Sequence, residues 1–147
     1  MRRTYYWVIV LLGVLTIYGF SAIPNLTFVP KTDLSPWWRH WVAKNTFYFG
    51  HCGFFSYEIS PHPDFLIHKL GHILGFGLLG TALFLATQSA SLAGILVIIL
   101  ACADEFHQYF VAGRSSRFGD ILLDTVAAYI FIVLTRLYLA RRTHKVN

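Results

Sequence analysis

Leu92–Phe110 reads LAGILVIILACADEFHQYF: twelve apolar or small residues, then Asp104 and Glu105 side by side, then His107 and Gln108. The stretch is about as long as a helix that crosses the hydrocarbon core of a bilayer. A charge near the middle of such a helix costs about 3 kcal/mol or more on insertion scales, and such residues normally turn inward to a bundle and find partners there. Two further polar groups sit in or beside apolar runs, His68-Lys69-Leu70-Gly71-His72 and the segment from Gly113-Arg114 through Asp120 and Asp124. Burying three such groups predicts that they meet one another.

Composition agrees with a membrane chain. Of 147 residues, 56% are hydrophobic, 17% aromatic and only 13% charged, more apolar than a soluble domain usually is. We expect a single membrane domain over residues 1–147, because no Gly/Ser-rich, Pro-rich or like-charged run marks a linker and no internal repeat is present. Cys52 falls in a polar connecting segment and Cys102 in an apolar run, so a disulfide between them is not expected, and no CxxC spacing exists. The net charge of +5 does not point to nucleic acid, since the basic residues gather at the chain ends rather than along a soluble face.

Apolar runs of spanning length predict an all-α bundle of about four transmembrane helices, at 5–23, 68–87, 92–110 and 118–138. The first run follows Arg2 and Arg3, but it is too long for a signal peptide and Phe20 does not suit a small-residue cleavage site before Ala22. It reads as a retained anchor. Arg2 and Arg3 at one end and Arg136, Arg141, Arg142 and Lys145 at the other place both termini in the cytoplasm of a multi-pass cell-membrane protein. Pro24–Ile67 and Val111–Arg117 are then extracytoplasmic, and Gln88–Ser91 is a tight inner turn. All three polar groups fall at the outer helix ends.

Residues three and four apart share a helix face. His68, Gly71, His72 and Gly75 form one stripe, and Gly71-xxx-Gly75 is a spacing that lets helices approach closely. Ala101, Asp104 and Gln108 form a second, with His107 beside them, and Asp120, Asp124, Ala127 and Ala128 a third. At 1.5 Å per residue, Asp104 and Asp124 lie about 6 to 9 Å below the outer helix ends. Plainer roles are open to some of these residues: His68 and Lys69 can snorkel to the headgroups, and Asp120 can favour a helix N-terminus. Asp104 and Glu105 require a function or a buried pairing with Lys69 or Arg114.

The connecting segment has its own content. Ser35 before Pro36 is a good helix start, and Trp37, Trp38 and Trp41 beside Arg39, His40 and Lys44 predict a short interfacial helix. Thr46–Phe49 and Phe54–Ile59 flank Gly50-His51-Cys52-Gly53, which suggests a β-hairpin.

The run Asp104-Glu105-Phe106-His107-Gln108, then Gly113-Arg114, then Asp120-Ile121-Leu122-Leu123-Asp124-Thr125 resembles the signature of the VanZ-like membrane proteins. Lys69 and His72 resemble that family's Lys-x-x-His segment, and Ser21-Ala22-Ile23-Pro24 its Ser-x-x-Pro exit from the first span. The resemblance runs from Tyr5 to about Phe131. His68, Ala112 and Ala127-Ala128 depart from the commoner family residues, and Asp124 resembles a branch that reads Leu-Leu-Asp-Thr. The family takes its name from a protein linked to resistance to the glycopeptide teicoplanin, so the resemblance implies a role in the cell envelope.

The chemistry these residues offer is anion recognition and proton transfer. Arg114 and Arg117 can hold phosphate bidentately, and Lys69, Gln108, His68, His107, Asp120 and Asp124 are further candidate binding residues. Asp104, Glu105 and His72 are candidate general bases. Three classes stay open on sequence: a protein that binds a membrane lipid or lipid-linked cell-wall precursor, a hydrolase or transferase acting on a phosphorylated lipid-linked substrate, and a structural bundle with a buried ion-pair network. A metal site built from His68, His72, Asp104 and His107 is conceivable, but Lys69 and two arginines nearby would oppose a cation. Neither a metal nor a cofactor is therefore expected.

Overall fold

The computed structural model describes residues 2–51 and 53–144; Cys52 and Lys145, used above, lie outside them. Four long helices, α1 (Arg2–Ser21), α3 (Pro63–Thr87), α4 (Ala90–Gln108) and α5 (Phe118–His144), are joined by a segment that holds the short helix α2 (Pro36–Lys44) and the strands β1 (Phe47–Phe49) and β2 (Tyr57–Ile59). All four long helices are apolar and long enough to cross a membrane.

The helix ends explain themselves from sequence. In α2, Ser35 accepts from the Trp38 N–H at 3.4 Å and Pro36 takes the first helical position, the arrangement that leaves fewest donors unmet. The strands pair antiparallel, Phe47 opposite Ile59 and Phe49 opposite Tyr57. Between α3 and α4 the chain needs only Gln88, in the left-handed region at φ 57°, and Ser89, which accepts from the Leu92 N–H at 3.3 Å.

Several boundaries differ from expectation, among them the end of α5, which runs to His144 rather than Tyr138. Helix α3 begins at Pro63 rather than His68: proline suits the first helical position and Asp64 the positive helix end, two signals an apolar window passes over. Helix α4 stops at Gln108, so Tyr109 and Phe110 belong to the turn, and α1 stops at Ser21 rather than Ile23.

Helices α3 and α5 run parallel and form the tightest seam. A Cβ on Gly80 would meet the Ala128 Cβ at 2.9 Å, and one on Gly77 would meet the Phe131 ring at 2.8 Å. One turn on, the hydroxyls of Thr81 and Thr135 share a hydrogen bond at 3.2 Å. Lipid tails are as apolar as leucine, so close backbone approach and such hydrogen bonds are what hold helices together in a bilayer. Gly77 and Gly80 therefore do the close packing that the sequence assigned to Gly71 and Gly75. Gly75 meets only the Ile17 side chain at 3.4 Å, and a Cβ on Gly71 would enter open space.

Phe76, Leu83, Val97, Ala93, Ala101, Ala128 and Ile132 are the buried centre. Helix α1 packs its Val10 side on α3 and leaves Leu11, Leu12 and Leu15 exposed, as a lipid-facing surface would be. Helices α1 and α4 end, and α3 and α5 begin, at one end of the bundle. The three polar groups and the segment 22–62 gather there.

Candidate functional site

Two loops close over this end. The Asn25 N–H donates to the Ala112 carbonyl at 3.0 Å, and the Phe118 N–H donates to the Phe54 carbonyl at 2.9 Å. Gly113 has φ +76°, and a Cβ on it would run into Asn25, so glycine is required beside Arg114 by space as well as by backbone. The Arg117 N–H, one residue before α5, donates to Glu105 Oε2 at 2.7 Å. Glu105 is thus committed to holding the α5 entrance against the end of α4. It is buried, its Oε1 has no partner, and it lines neither cavity described below.

A ladder of polar pairs crosses the α3–α5 seam. Lys69 Nζ donates to Asp120 Oδ1 at 2.5 Å, and one turn deeper His72 Nδ1 lies 3.1 and 3.2 Å from the two oxygens of Asp124. The regular spacing follows from two parallel helices, each presenting residues three and four apart. Asp104, from α4, faces the second rung. Gln108, one turn further on, donates to Asp104 Oδ2 at 2.7 Å, while Asp104 Oδ1 is buried with no partner. His72, Asp104 and Asp124 bring one ligand atom each to within 4.8 Å of one another.

The pairing expected from sequence is corrected here. Neither Lys69 nor Arg114 binds Asp104 or Glu105: Lys69 takes Asp120, and Arg114 donates to the Phe20 carbonyl and lies 3.4 Å from His68 Nδ1. Chain direction decides this, because parallel α3 and α5 put equal depths side by side. His107 is also turned away. It stacks on Tyr18 of α1 with ring centroids 4.2 Å apart and lines neither cavity.

Two cavities meet at this end. The larger, about 750 Å³, is walled by Lys31, Arg39, Lys69, Arg114 and Arg117, by Glu58, Asp64 and Asp120, and by His62, His68, His72, Tyr57 and Gln108 among others. The smaller, about 340 Å³, is an apolar crevice between α1 and α3, lined by Ile17, Phe20, Ile67, Gly71, Gly75 and Phe76, with Asp104 at its floor. His68, His72, Arg114 and Leu26 line both. Polar cavity and apolar crevice thus share a wall.

Several residues of the larger cavity went unremarked as site residues in the sequence. Asp64 Oδ1 accepts from the N–H groups of Phe28 and Val29 at 2.6 and 3.1 Å and its Oδ2 lies 3.5 Å from His68 Nε2. His62 caps α3 through Nδ1, which accepts from the Asp64 N–H at 3.2 Å, and its buried Nε2 has no partner. Pro61-His62-Pro63-Asp64 was the available signal, as a helix start. Tyr57 arrives from β2. Burial pushes its phenol above the ordinary range, and the adjacent Asp120 carboxylate adds to the rise. Arg114 is shifted the other way, burial lowering it against the opposing pull of Asp104, Glu105 and Asp64.

Five lysine and arginine side chains face three carboxylates in the larger cavity, and one of those carboxylates is already paired with Lys69. Arg117 forms no ion pair among the described residues. The surplus is positive, and the donors are guanidinium and ammonium groups suited to phosphate or carboxylate.

A family model described as VanZ/LLP1 matches residues 5–139, from the first turns of α1 nearly to the end of α5. Among curated proteins and solved structures nothing matches.

Proposed function

The chain belongs to the VanZ/LLP1 family, and from that premise we propose that it is a cell-membrane protein that binds a lipid with an anionic headgroup, an envelope lipid or lipid-linked cell-wall precursor. The observation that carries this reading is the shared wall of the two cavities. A lipid needs a polar chamber for its headgroup and an apolar track for its chain, side by side at one depth. The larger cavity is of ligand size and carries the positive surplus; the crevice offers Ile17, Phe20 and Phe76 to the chain.

Orientation enters on the same terms. Arg136, Arg141 and Arg142 lie at the far end of α5, so the positive-inside rule sets that end in the cytoplasm and the site toward the outer leaflet. Sequestering or altering an outer-leaflet precursor is a route to a changed cell surface and to reduced sensitivity toward teicoplanin-type glycopeptides.

Binding of a short-chain phosphatidic acid to the purified protein in detergent tests the reading, with phosphatidylcholine of equal chain length as comparison. The anionic lipid should bind more tightly. Arg117→Gln should weaken it about 10- to 100-fold, the value of one charge-assisted hydrogen bond. Equal affinity for both lipids, unaffected by Arg117→Gln, would end this reading.

The His72–Asp124 pair favours a second reading. An imidazole held by a buried carboxylate is suited to general-base work, which is what a hydrolase or transferase of a lipid-linked phosphate would need. In that case His72→Gln should abolish drug protection in cells while leaving the protein inserted; retained protection would exclude it.

A further inference from the structure

We propose that His72, Asp104 and Asp124 form a site for one divalent transition cation at the wall shared by the two cavities. The three residues come from α3, α4 and α5, and their ligand atoms already lie within 4.8 Å of one another. The His72 Nδ1 to Asp124 Oδ2 separation of 3.1 Å falls between the octahedral edges of about 2.8 to 3.1 Å and the tetrahedral edges of about 3.3 to 3.6 Å that metal bonds of about 2.0 to 2.2 Å produce.

An independent observation points the same way. Asp104 is 2% exposed, yet its Oδ1 has no hydrogen-bond partner. Its other oxygen is held by Gln108 Nε2 at 2.7 Å, which fixes the carboxylate and leaves one buried oxygen free to take a ligand. Metal ligands are commonly oriented by such an outer hydrogen bond. Asp104 and Asp124 together bury two carboxylates against one imidazole, and an uncompensated buried charge is costly. A divalent cation compensates both.

On sequence, Lys69 and two arginines close by argue against a metal. In the structure Lys69 and Arg114 take hydrogen-bond partners outside the cluster. Lys69 is bound to Asp120, and Arg114 to the Phe20 carbonyl and His68. Asp124, rather than His68 or His107, completes the set. One imidazole and two carboxylates suit Zn²⁺ or Mn²⁺ better than an all-oxygen cation such as Ca²⁺. Three protein ligands leave positions open where His72 and Asp104 border the crevice. On the lipid-binding reading above, a headgroup phosphate oxygen would occupy one of them.

The test uses the full chain purified in detergent, stripped with a chelator, desalted, and titrated separately with Mn²⁺ and Zn²⁺. Bound metal is measured by elemental analysis and, for Mn²⁺, by electron paramagnetic resonance. About one equivalent of either ion should bind per chain and raise the melting temperature. Gln108→Ala should weaken binding about 10- to 100-fold, Asp124→Asn should abolish it, and His107→Gln should leave it unchanged. Stoichiometry far below one for both ions in the wild type, or full-strength binding in Asp124→Asn, would overturn the proposal. Should Asp124→Asn fail to fold, the wild-type titration and Gln108→Ala decide. Anionic lipid binding without metal refutes this site alone, and metal binding without lipid refutes only the lipid reading.

Discussion

Replacing Lys69 by methionine removes one charge from the α3–α5 seam and keeps a side chain of similar length. The ammonium donates to Asp120 at 2.5 Å and lies 5.2 Å from the centroids of the Tyr57 and Phe65 rings. Breaking a fully buried ion pair by deleting one partner costs about 3 to 5 kcal/mol, because the other charge is left uncompensated. Here the Lys69 side chain is 19% exposed and that of Asp120 6%, so water from the cavity reaches the pair and we expect about 2 to 4 kcal/mol. Methionine retains the apolar stem contacts, so the loss reports the charge. At about 2 to 4 °C per kcal/mol for a chain of this size, Lys69→Met should lower Tm by about 5 to 15 °C in detergent, followed by intrinsic tryptophan fluorescence. Asp120→Asn in the same chain should restore part of it, with a coupling of at least about 0.5 kcal/mol. A single variant melting with the wild type, or strict additivity in the double variant, would refute the direct pairing.

Other substitutions probe separate parts of the account. Gly71→Leu should fill the crevice where a Cβ now meets nothing; helix propensity predicts stability equal to or up to about 1 kcal/mol above wild type, while lipid binding falls, and unchanged binding would remove the crevice from the site. Glu105→Ala should cost about 1 to 3 kcal/mol by leaving the Arg117 N–H unpaired, seen as a lower Tm that Glu105→Gln largely recovers, since its amide oxygen still accepts. Tyr57 sets an alkaline signature. Its phenol is raised from the ordinary value of 10.0 by burial and by Asp120, so above about pH 10 the unfolded chain releases a proton that the folded chain keeps. That contribution is present below pH 10 and declines as pH rises toward the folded value. Tyr57→Phe should therefore flatten the alkaline loss of stability in detergent melts, and identical slopes would argue against the burial.

The four helices were legible because hydrocarbon thickness leaves a long apolar run little alternative, and the Ser35-Pro36 start because capping chemistry is local; the hairpin was legible too, although its second strand begins at Tyr57 rather than Phe54. Helix α3 was read short for the complementary reason: Asp64 and His62 are polar, yet they belong to a helix start and to the cavity wall. Pairing was not legible. Lys69 had Asp104, Glu105, Asp120 and Asp124 as candidate partners, and the choice follows from the parallel run of α3 and α5, which no local pattern records. His107 had the right spacing to join Asp104, but helix geometry gives it the α1 face, where Tyr18 meets it. Glu105 was read as a candidate base because two adjacent carboxylates in an apolar span are costly; its contact with the Arg117 N–H depends on where the loop before α5 lands, which the sequence does not record. Gly71 and Gly75 were the obvious small-residue pair, while contact with α5 falls to Gly77 and Gly80 because those residues face Phe131 and Ala128.

The central claim, that one lipid spans the polar cavity and the apolar crevice, is tested most directly by native mass spectrometry of the protein released from detergent. The wild type should carry a co-purified lipid with an acidic headgroup, and Arg117→Gln and Gly71→Leu should each lower the lipid-bound fraction, one through the headgroup and one through the chain. A wild type that carries no lipid, or only zwitterionic lipid retained equally by both variants, would contradict it.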